Sequence, residues 1–278
     1  MKLSNNSLYI VSTPIGNLDD ITIRAIEVLK KSDIIFCEDT RHSLKLLKHL
    51  NIKKKLASYH KFNEKKELKK IIKYLNEGKI LSLISDAGTP ALSDPGKILI
   101  QTCVMNGIQV IPVPGVSAIT SAISISGFSD QFLFYGFLPK TKNELDKVLQ
   151  SISDLSFSII FFIPSIKINF YLNSFKTFFV GRKILIAREI TKLHEAFYRE
   201  DVDKIKVFES PIKGELTVVL SEKNIKKETY INEKKIKEMA KIYLEKYSLK
   251  DTVELISKTE KVQKKKIYKI CLLIKDNE

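Results

Sequence analysis

One short loop carries residue types that suit a ligand site. It spans Ile84 to Pro90, reads ISDAGTP, and follows directly on an apolar run. An apolar strand that ends in a loop of small residues is typical of the ligand edge of an open α/β sheet. Gly88 lets a ligand approach the backbone, and Thr89 offers a hydroxyl. Pro90 fixes the exit direction, and Asp86 supplies the only formal charge. We therefore predict the floor of a binding site; the alternative is a tight strand-to-helix turn with Asp86 as its cap.

A second stretch, Glu38 to His42, is polar where the first loop is small. It reads EDTRH and follows the apolar run Ile34 to Cys37, so it also lies at a predicted strand end. Only five of the 47 basic residues are arginines, and a flexible lysine cannot replace the planar arginine fork. Arg41 and Arg188 are therefore candidate functional cations. For Arg188, an internal ion pair with Glu189 is the alternative.

The elements that must position these loops alternate between strand and helix. Strands are predicted at Leu8–Thr13, Ile34–Cys37, Leu56–Ser58, Ile80–Ile84 and Gln109–Val113. Because helical stripes separate most of these runs, we expect a mostly parallel sheet whose strand ends converge on one crevice. After the stiff connector at residues 112–115, Ser117 opens a helix. Its hydroxyl is available either as an N-cap or to a ligand.

Beyond residue 115 the pattern changes, which predicts three domains. Longer strands rich in Phe, Ile and Val are predicted at Phe132–Tyr135, Phe157–Phe162, Lys183–Arg188, Glu195–Arg199 and Glu215–Leu220. From residue 223 onward, sixteen lysines face nine acidic residues, and only helical patterns remain. We predict an α/β domain with a parallel sheet at 1–115, an α/β domain with a mixed sheet at 116–222, and a basic helical tail at 223–278.

Composition narrows the function mainly by exclusion. The net charge of +15 is mostly lysine in a chain rich in Ile and Asn, so it is weak support for a nucleic-acid partner. Three scattered cysteines predict neither a disulfide framework nor a metal cluster, and we expect no metal. Walker, GxGxxG, HExxH, CxxC and GxSxG motifs are absent. No apolar run could span a bilayer, so we expect a cytosolic protein without a membrane partner.

A series of motifs carries the argument further. They read LYIVSTPIGNLDDITIRAIEVL, CEDTRHSLKLL, ISDAGTPALSDPG, PVPGVSAITSAISISG, FYGFLPK, AREITKLHEAFYR, KGELTVVL, SLKDTVELIS and KKKIYKI. In this order and spacing, the chain resembles the tetrapyrrole methylase superfamily and, within it, the branch of ribosomal small-subunit RNA cytidine 2′-O-methyltransferases. The EDTR, ARExTK and tail stretches favour the RNA branch. The resemblance implies a two-domain α/β fold of the tetrapyrrole-methylase type (class III methyltransferase) with a small C-terminal helical region.

The resemblance also implies a cofactor, S-adenosylmethionine, bound in a cleft between domains of a homodimer. Such a cofactor needs backbone donors and acceptors at close range more than a phosphate cradle. The residues expected to line its site are Pro14, Gly16, Asp86, Ala87, Gly88, Thr89, Pro90, Ser117, Ala118, Phe162 and Ala187.

The implied reaction is in-line methyl transfer to a ribose 2′-oxygen of a cytidine in 16S ribosomal RNA, with an assembled small subunit as the expected substrate. Because a ribose hydroxyl is a poor nucleophile, a group must accept its proton. Glu38, Asp39 and His60 are candidates, and Arg41 is placed to grip a phosphate or to orient a carboxylate. For Glu38 and Asp39, helix capping is the alternative.

One departure from the RNA branch leaves two further readings open. Where that branch usually reads close to FYESPHR, residues 161–167 read FFIPSIK, so Ile163 and Ile166 replace a glutamate and a histidine. Any role of those two groups is absent or relocated here. The alternatives are a methylase of a small tetrapyrrole-like molecule and a non-catalytic RNA-binding or assembly protein.

Overall fold

The structure, a computed structural model, describes residues 3–223, 233–260 and 264–275. The chain divides into two compact units, residues 1–223 and 224–278. The first unit contains two five-stranded sheets. The boundary expected near residue 115 lies inside this unit and stays a prediction.

The first sheet is parallel, and its strands are β1 Ser7–Val11, β2 Ile34–Cys37, β3 Lys55–Ser58, β4 Ile80–Leu83 and β5 Gln109–Val113. Helices α1 Ile23–Lys31, α2 Thr40–His49, α3 Glu64–Asn76 and α4 Lys97–Met105 connect them. The spatial order is β3-β2-β4-β1-β5, with apolar clusters on both faces. Strands buried on both faces read as continuous apolar runs, which is why the sequence located them.

This strand order decides where the loops meet. The chain leaves β1, passes over the place of β4 to reach β2, and later returns to insert β4 between them. The carboxyl ends of β1, β2 and β4 are therefore neighbours at a point where the winding direction reverses. Crevices at such points are the usual ligand sites of open α/β sheets.

Helix α5, Ala118–Ser126, leads into a second sheet, which is mixed. Its strands are β6 Phe132–Phe137, β7 Ser158–Pro164, β8 Lys183–Arg188, β9 Ala196–Asp201 and β10 Glu215–Leu220, in the order β6-β7-β10-β8-β9. Helices α6 Lys142–Ile152 and α7 Ile168–Phe178 pack their apolar sides into its core. The parallel and mixed sheets expected from the sequence are both confirmed.

An apolar cluster joins the two halves of the first unit. It contains Ile15 after β1, Ile119 and Ala122 of α5, and Ala187 and Val219 of the second sheet. Because buried apolar area of this kind stabilises an interface, the strand-end loops of the first sheet are held against the second sheet.

The second unit is a helical hairpin with a third helix. Its helices are α8 Glu233–Leu244, α9 Leu249–Glu260 and α10 Lys264–Lys275. A core that includes Ile236, Ile256 and Ile267 lies between them. The expected helical character is confirmed; the parts of the predicted tail at 224–232, 261–263 and 276–278 lie outside the described residues. Within the described ranges, no helix is long and apolar enough to cross a membrane.

Candidate active site

Asp39 caps a helix and holds an arginine. Its Oδ1 accepts hydrogen bonds from the Arg41 backbone N–H at 2.8 Å and from Arg41 Nε at 3.2 Å, and its Oδ2 pairs with Arg41 Nη2 at 2.8 Å. These contacts hold the pKa of Asp39 well below its usual range. Asp39 therefore caps helix α2, which was the alternative to a role as proton acceptor. Arg41 contacts a carboxylate, which was one of its two expected roles. Arg41 keeps three N–H groups free of Asp39, on a side chain that is 89% exposed.

Glu38 lies one residue earlier and behaves differently. It is half-buried, and among the described residues its carboxylate has no hydrogen-bond or ion-pair partner. Burial, and then the nearby charge of Asp86, raise its pKa, while His60 acts in the opposite direction. A half-buried, unpaired carboxylate with a raised pKa is the better proton acceptor of the two.

His60 is held by the turn that it begins. Its ring Nδ1 accepts a hydrogen bond from the Phe62 backbone N–H at 3.2 Å, and the backbone N–H of His60 donates to Asn63 Oδ1 at 2.8 Å. Because Nδ1 is the acceptor, the neutral ring carries its proton on Nε2. In that tautomer Nε2 is a hydrogen-bond donor.

The small-residue loop is tied to the end of β1 by its glycine. The Gly88 N–H donates to Thr13 O at 3.0 Å, and Thr13 N–H donates to Gly88 O at 2.9 Å. Gly88 has φ +76°, and a Cβ there would lie 3.3 Å from Ile15 Cγ2. Both backbone groups of Gly88 are thus used within the protein. Asp86 Oδ1 accepts the Asp39 N–H at 3.2 Å, which links the two polar corners.

A cavity of about 490 Å³ opens beside this loop. Of the residues expected to line a cofactor site, the ones that line this cavity are Asp86, Ala87, Gly88, Thr89, Ser117, Ala118 and Phe162. Ser117 is the N-cap residue of α5, but its side chain makes no capping hydrogen bond, so its hydroxyl is available to a ligand.

Four of the expected residues do not line the cavity: Pro14, Gly16, Pro90 and Ala187. Pro14 and Pro90 are buried. A Cβ on Gly16 would lie 2.4 Å from Lys192 Cγ, so that glycine serves a close approach of two loops. Ala187 is buried on β8 beside Thr217 of β10, and Thr217 is the residue that lines the cavity. As cofactor contacts these four stay predictions.

The cavity holds more charge than the sequence led us to expect. Asp94 lines it together with Glu38 and Asp86, so the expectation of a single formal charge was wrong. Burial, and then the charge of Glu38, raise the pKa of Asp94 to about 6. Ala91 and Ser93 have φ of 64° and 69°, which turns this segment back over the strand end. The SDPG stretch at residues 93–96 indicates a turn, but it indicates neither the left-handed form of that turn nor the position of Asp94 beside Glu38.

The far wall of the cavity comes from the second sheet. It is formed by Phe137, Phe162–Pro164 and Gly214–Thr217. Ile163, one of the two departures from the RNA-branch motif, is buried in this wall, whereas Ile166 is 86% exposed. Glu215 also lines the cavity, and its carboxylate pairs with Lys192 at 2.9 Å.

The ion pair considered for Arg188 and Glu189 is not the one formed. Arg188 Nε donates to Lys213 O at 2.8 Å. Glu189 pairs with Lys192 at 3.0 Å and accepts the Glu215 N–H at 2.7 Å. The alternative considered for Arg188, an ion pair with Glu189, is therefore not formed, and a functional role of Arg188 stays a prediction. Lys192 is the cation that organises this edge of the cavity.

A second, more open cavity of about 450 Å³ adjoins the first. Its lining residues are Glu38, Asp39, Thr40, Arg41, Ser58, His60, Phe62 and Asp86. Glu38 and Asp86 line both cavities. All four residues singled out as catalytic candidates are therefore brought together here, and Glu38 lies between the more enclosed cavity and the more open one.

Comparison with known proteins agrees with this architecture. The model of the family described as Tetrapyrrole (Corrin/Porphyrin) Methylases matches residues 7–206. A protein of Mesomycoplasma conjunctivae named "Ribosomal RNA small subunit methyltransferase I" is 46% identical over 83% of this chain and 98% of its own. A protein of Thermotoga maritima with the same name is 46% identical over 78% of this chain and 98% of its own.

A solved structure supports the fold. Uroporphyrin-III C-methyl transferase from Thermus thermophilus, complexed with S-adenyl homocysteine, superposes with a TM-score of 0.53 at 14% identity. The match covers 77% of this chain and 97% of that one.

Proposed function

This chain belongs to the tetrapyrrole (corrin/porphyrin) methylase family, and from that premise we propose that it is an S-adenosylmethionine-dependent methyltransferase of small-subunit ribosomal RNA. The acceptor is the 2′-oxygen of a cytidine ribose in 16S RNA, as the resemblance of the EDTR, ARExTK and tail motifs implies. One observation carries the proposal: two adjoining cavities, one more enclosed than the other, share Glu38 and Asp86 as a common wall. A small methyl donor in the first cavity and a large acceptor in the second would meet at this common wall.

The enclosed cavity suits the cofactor. Its volume of about 490 Å³ lies within the range of small-molecule sites, roughly 300–1,000 Å³. S-adenosylmethionine is a sulfonium and an ammonium cation, and Glu38, Asp86 and Asp94 supply anionic partners. Phe137 and Phe162 offer apolar surface to an adenine ring. When bound, the cofactor supplies an electrophilic methyl group on a cationic sulfur.

The open cavity suits the acceptor nucleotide. Glu38 would take the proton of the 2′-hydroxyl as that oxygen bonds to the methyl carbon and the carbon–sulfur bond breaks, with the electron pair left on sulfur as a neutral thioether; the carboxylic acid then releases the proton to water. Arg41, oriented by Asp39, presents its free N–H groups to a phosphate. His60 lies in the same cavity, where it favours the ionised form of Glu38 and can donate a hydrogen bond from Nε2. Because the cavity is open on one side, a nucleotide must be turned out of its strand to enter it.

The decisive experiment uses small ribosomal subunits from a strain that lacks the modification. After incubation with the purified protein and S-adenosylmethionine, the RNA is digested and analysed for 2′-O-methylcytidine by mass spectrometry. We expect this nucleoside at one site, and its loss with Glu38→Gln. Absence of the nucleoside while calorimetry detects cofactor binding would overturn the proposal. Equal activity on a short free oligonucleotide would reject the assembled subunit as the preferred substrate.

We also propose that the protein acts in the cytoplasm as a homodimer, as the resemblance implies. Light scattering at several concentrations tests the dimer, and a mass of 31.8 kDa would contradict it.

A further inference from the structure

Phe62 is an apolar side chain with almost no cover from its own protein. Its relative exposure is 94%, although it stands on the wall of the open cavity. Single exposed apolar side chains are common and mean little alone. This one lies in the same cavity as Glu38 and Arg41, beside the groups that serve the acceptor.

The turn that presents Phe62 is fixed by hydrogen bonds. The Phe62 N–H donates to His60 Nδ1 at 3.2 Å, and Asn63 Nδ2 donates to Ser58 O at 3.0 Å. The His60 and Phe62 rings contact edge to face, with centroids 6.0 Å apart. Helix α3 begins at Glu64, immediately afterwards. These hydrogen bonds fix the backbone of the turn, which presents the exposed ring beside His60 at the cavity wall.

Three chemistries meet in the cavity. Phe62 offers an aromatic face, Arg41 offers N–H donors to a phosphate, and Glu38 offers a proton acceptor. These match the base, the phosphate and the ribose of a nucleotide. Single-stranded RNA is typically bound through bases stacked on exposed aromatic rings, next to cations that track the backbone.

We propose that Phe62 is the stacking surface for a nucleobase of the acceptor RNA, and that this contact positions the ribose at Glu38. The inference rests on the proposed function and names a residue that binds and positions the RNA substrate. Stacking accepts every base, because each has a π face, so Phe62 contributes affinity and placement, and little sequence selectivity.

The test uses the fact that the chain contains no tryptophan. Phe62→Trp places the only tryptophan of the chain on the proposed surface and keeps an aromatic face. Met105→Trp is the matched control, because Met105 is 86% exposed at the end of α4 and lines neither cavity. A fluorescently labelled fragment of small-subunit RNA and whole subunits are the probes. We expect RNA to quench the fluorescence of Phe62→Trp and to leave that of Met105→Trp unchanged.

A second variant gives an independent reading. Phe62→Ala should raise the KM for small subunits and weaken RNA binding by about 10-fold to 100-fold, the usual range for one stacked base. Cofactor affinity by calorimetry should stay unchanged, and Phe62→Tyr should restore binding.

The outcomes separate this inference from the proposed function. Methyl transfer by the wild type, with unchanged KM and RNA affinity in Phe62→Ala, would reject the stacking surface alone. RNA binding that depends on Phe62 in a protein without methyl transfer would support the surface and reject the activity. A wild type that neither binds RNA nor transfers methyl groups would reject both.

Discussion

Thr13 and Gly88 pair their backbones in both directions, at 2.9 and 3.0 Å, and so fasten the loop after β4 to the end of β1. The pair fixes where Asp86 and Thr89 stand, since they flank Gly88 on the cavity wall. Two features require glycine at this position. Its φ is +76°, and a Cβ here would lie 3.3 Å from Ile15 Cγ2. The backbone N–H and C=O of Gly88 are used in this pairing, and close approach of a ligand to Gly88, which lines the cavity, stays a prediction.

Gly88→Ala should therefore weaken both the fold and cofactor binding. A left-handed φ costs an L-residue about 1–2 kcal/mol, and the contact with Ile15 adds to that cost. Gly78→Ala is the matched control, because Gly78 has φ +82° and nothing within 4 Å of a Cβ. Chemical unfolding should find Gly88→Ala the less stable variant, and calorimetry should find reduced cofactor affinity only there. Equal losses of stability in the two variants would mean that the close approach of Ile15 adds nothing to the cost of the left-handed φ.

Local pattern was enough to locate the strands but not the full charge of the site. The strands Ile34–Cys37, Gln109–Val113 and Glu215–Leu220 have the bounds expected from the sequence, because each is a short apolar run between clear breaks. The closeness of Glu38 and Asp94 depends on β2 and β4 being neighbours and on a left-handed turn at Ser93. Neither feature has a local signature. The same is true of the cavity wall at 214–217, which comes from the other sheet.

Glu38→Gln should reduce kcat by about 10²-fold to 10⁴-fold, the usual contribution of a general base, and should leave the KM for RNA nearly unchanged. Burial raises the pKa of Glu38. The rate of the wild-type enzyme should therefore fall on acidification at a pH above the pKa of an ordinary glutamate, about 4.3. That acidic limb should vanish in Glu38→Gln.

Asp39→Asn is the informative comparison. Asparagine keeps the helix cap, and the carboxylate that it removes is already saturated by Arg41. We expect a loss of less than about 10-fold in kcat, well below the range for a lost general base. The reverse ranking of the two variants in single-turnover methyl transfer would assign the base to Asp39.

Asp94→Asn should stabilise the protein at neutral pH. The pKa of Asp94 in the folded protein is about 6, above that of an unfolded aspartate, so the folded state holds the proton more tightly. Its contribution to stability is present below about pH 4 and is lost as the pH rises through 6. Urea unfolding without cofactor should show the variant more stable by about 1–2 kcal/mol at pH 7.5, after allowance for solvent screening, and nearly equal at pH 4.

Asp130→Asn serves as the control for Asp94, since Asp130 is exposed and lies outside both cavities. A gain in stability that is the same at both pH values, or that Asp130→Asn shares, would show that ionisation of Asp94 is not its cause.

Arg182→Met should be the most destabilising of these changes. The side chain is 1% exposed, and its guanidinium donates to the carbonyl oxygens of Phe157, Ser221, Ser153 and Leu155. These acceptors tie the ends of β7 and β10 to the loop after α6, and methionine would leave them without a donor. Breaking a buried charged network costs about 3–5 kcal/mol, whereas Arg199→Met removes an exposed arginine with one hydrogen bond, to Ile125 O at 2.9 Å. Hydrogen exchange of the β7 and β10 amides should rise sharply in Arg182→Met and little in Arg199→Met. Similar exchange in both would show that the buried guanidinium is dispensable to the second sheet.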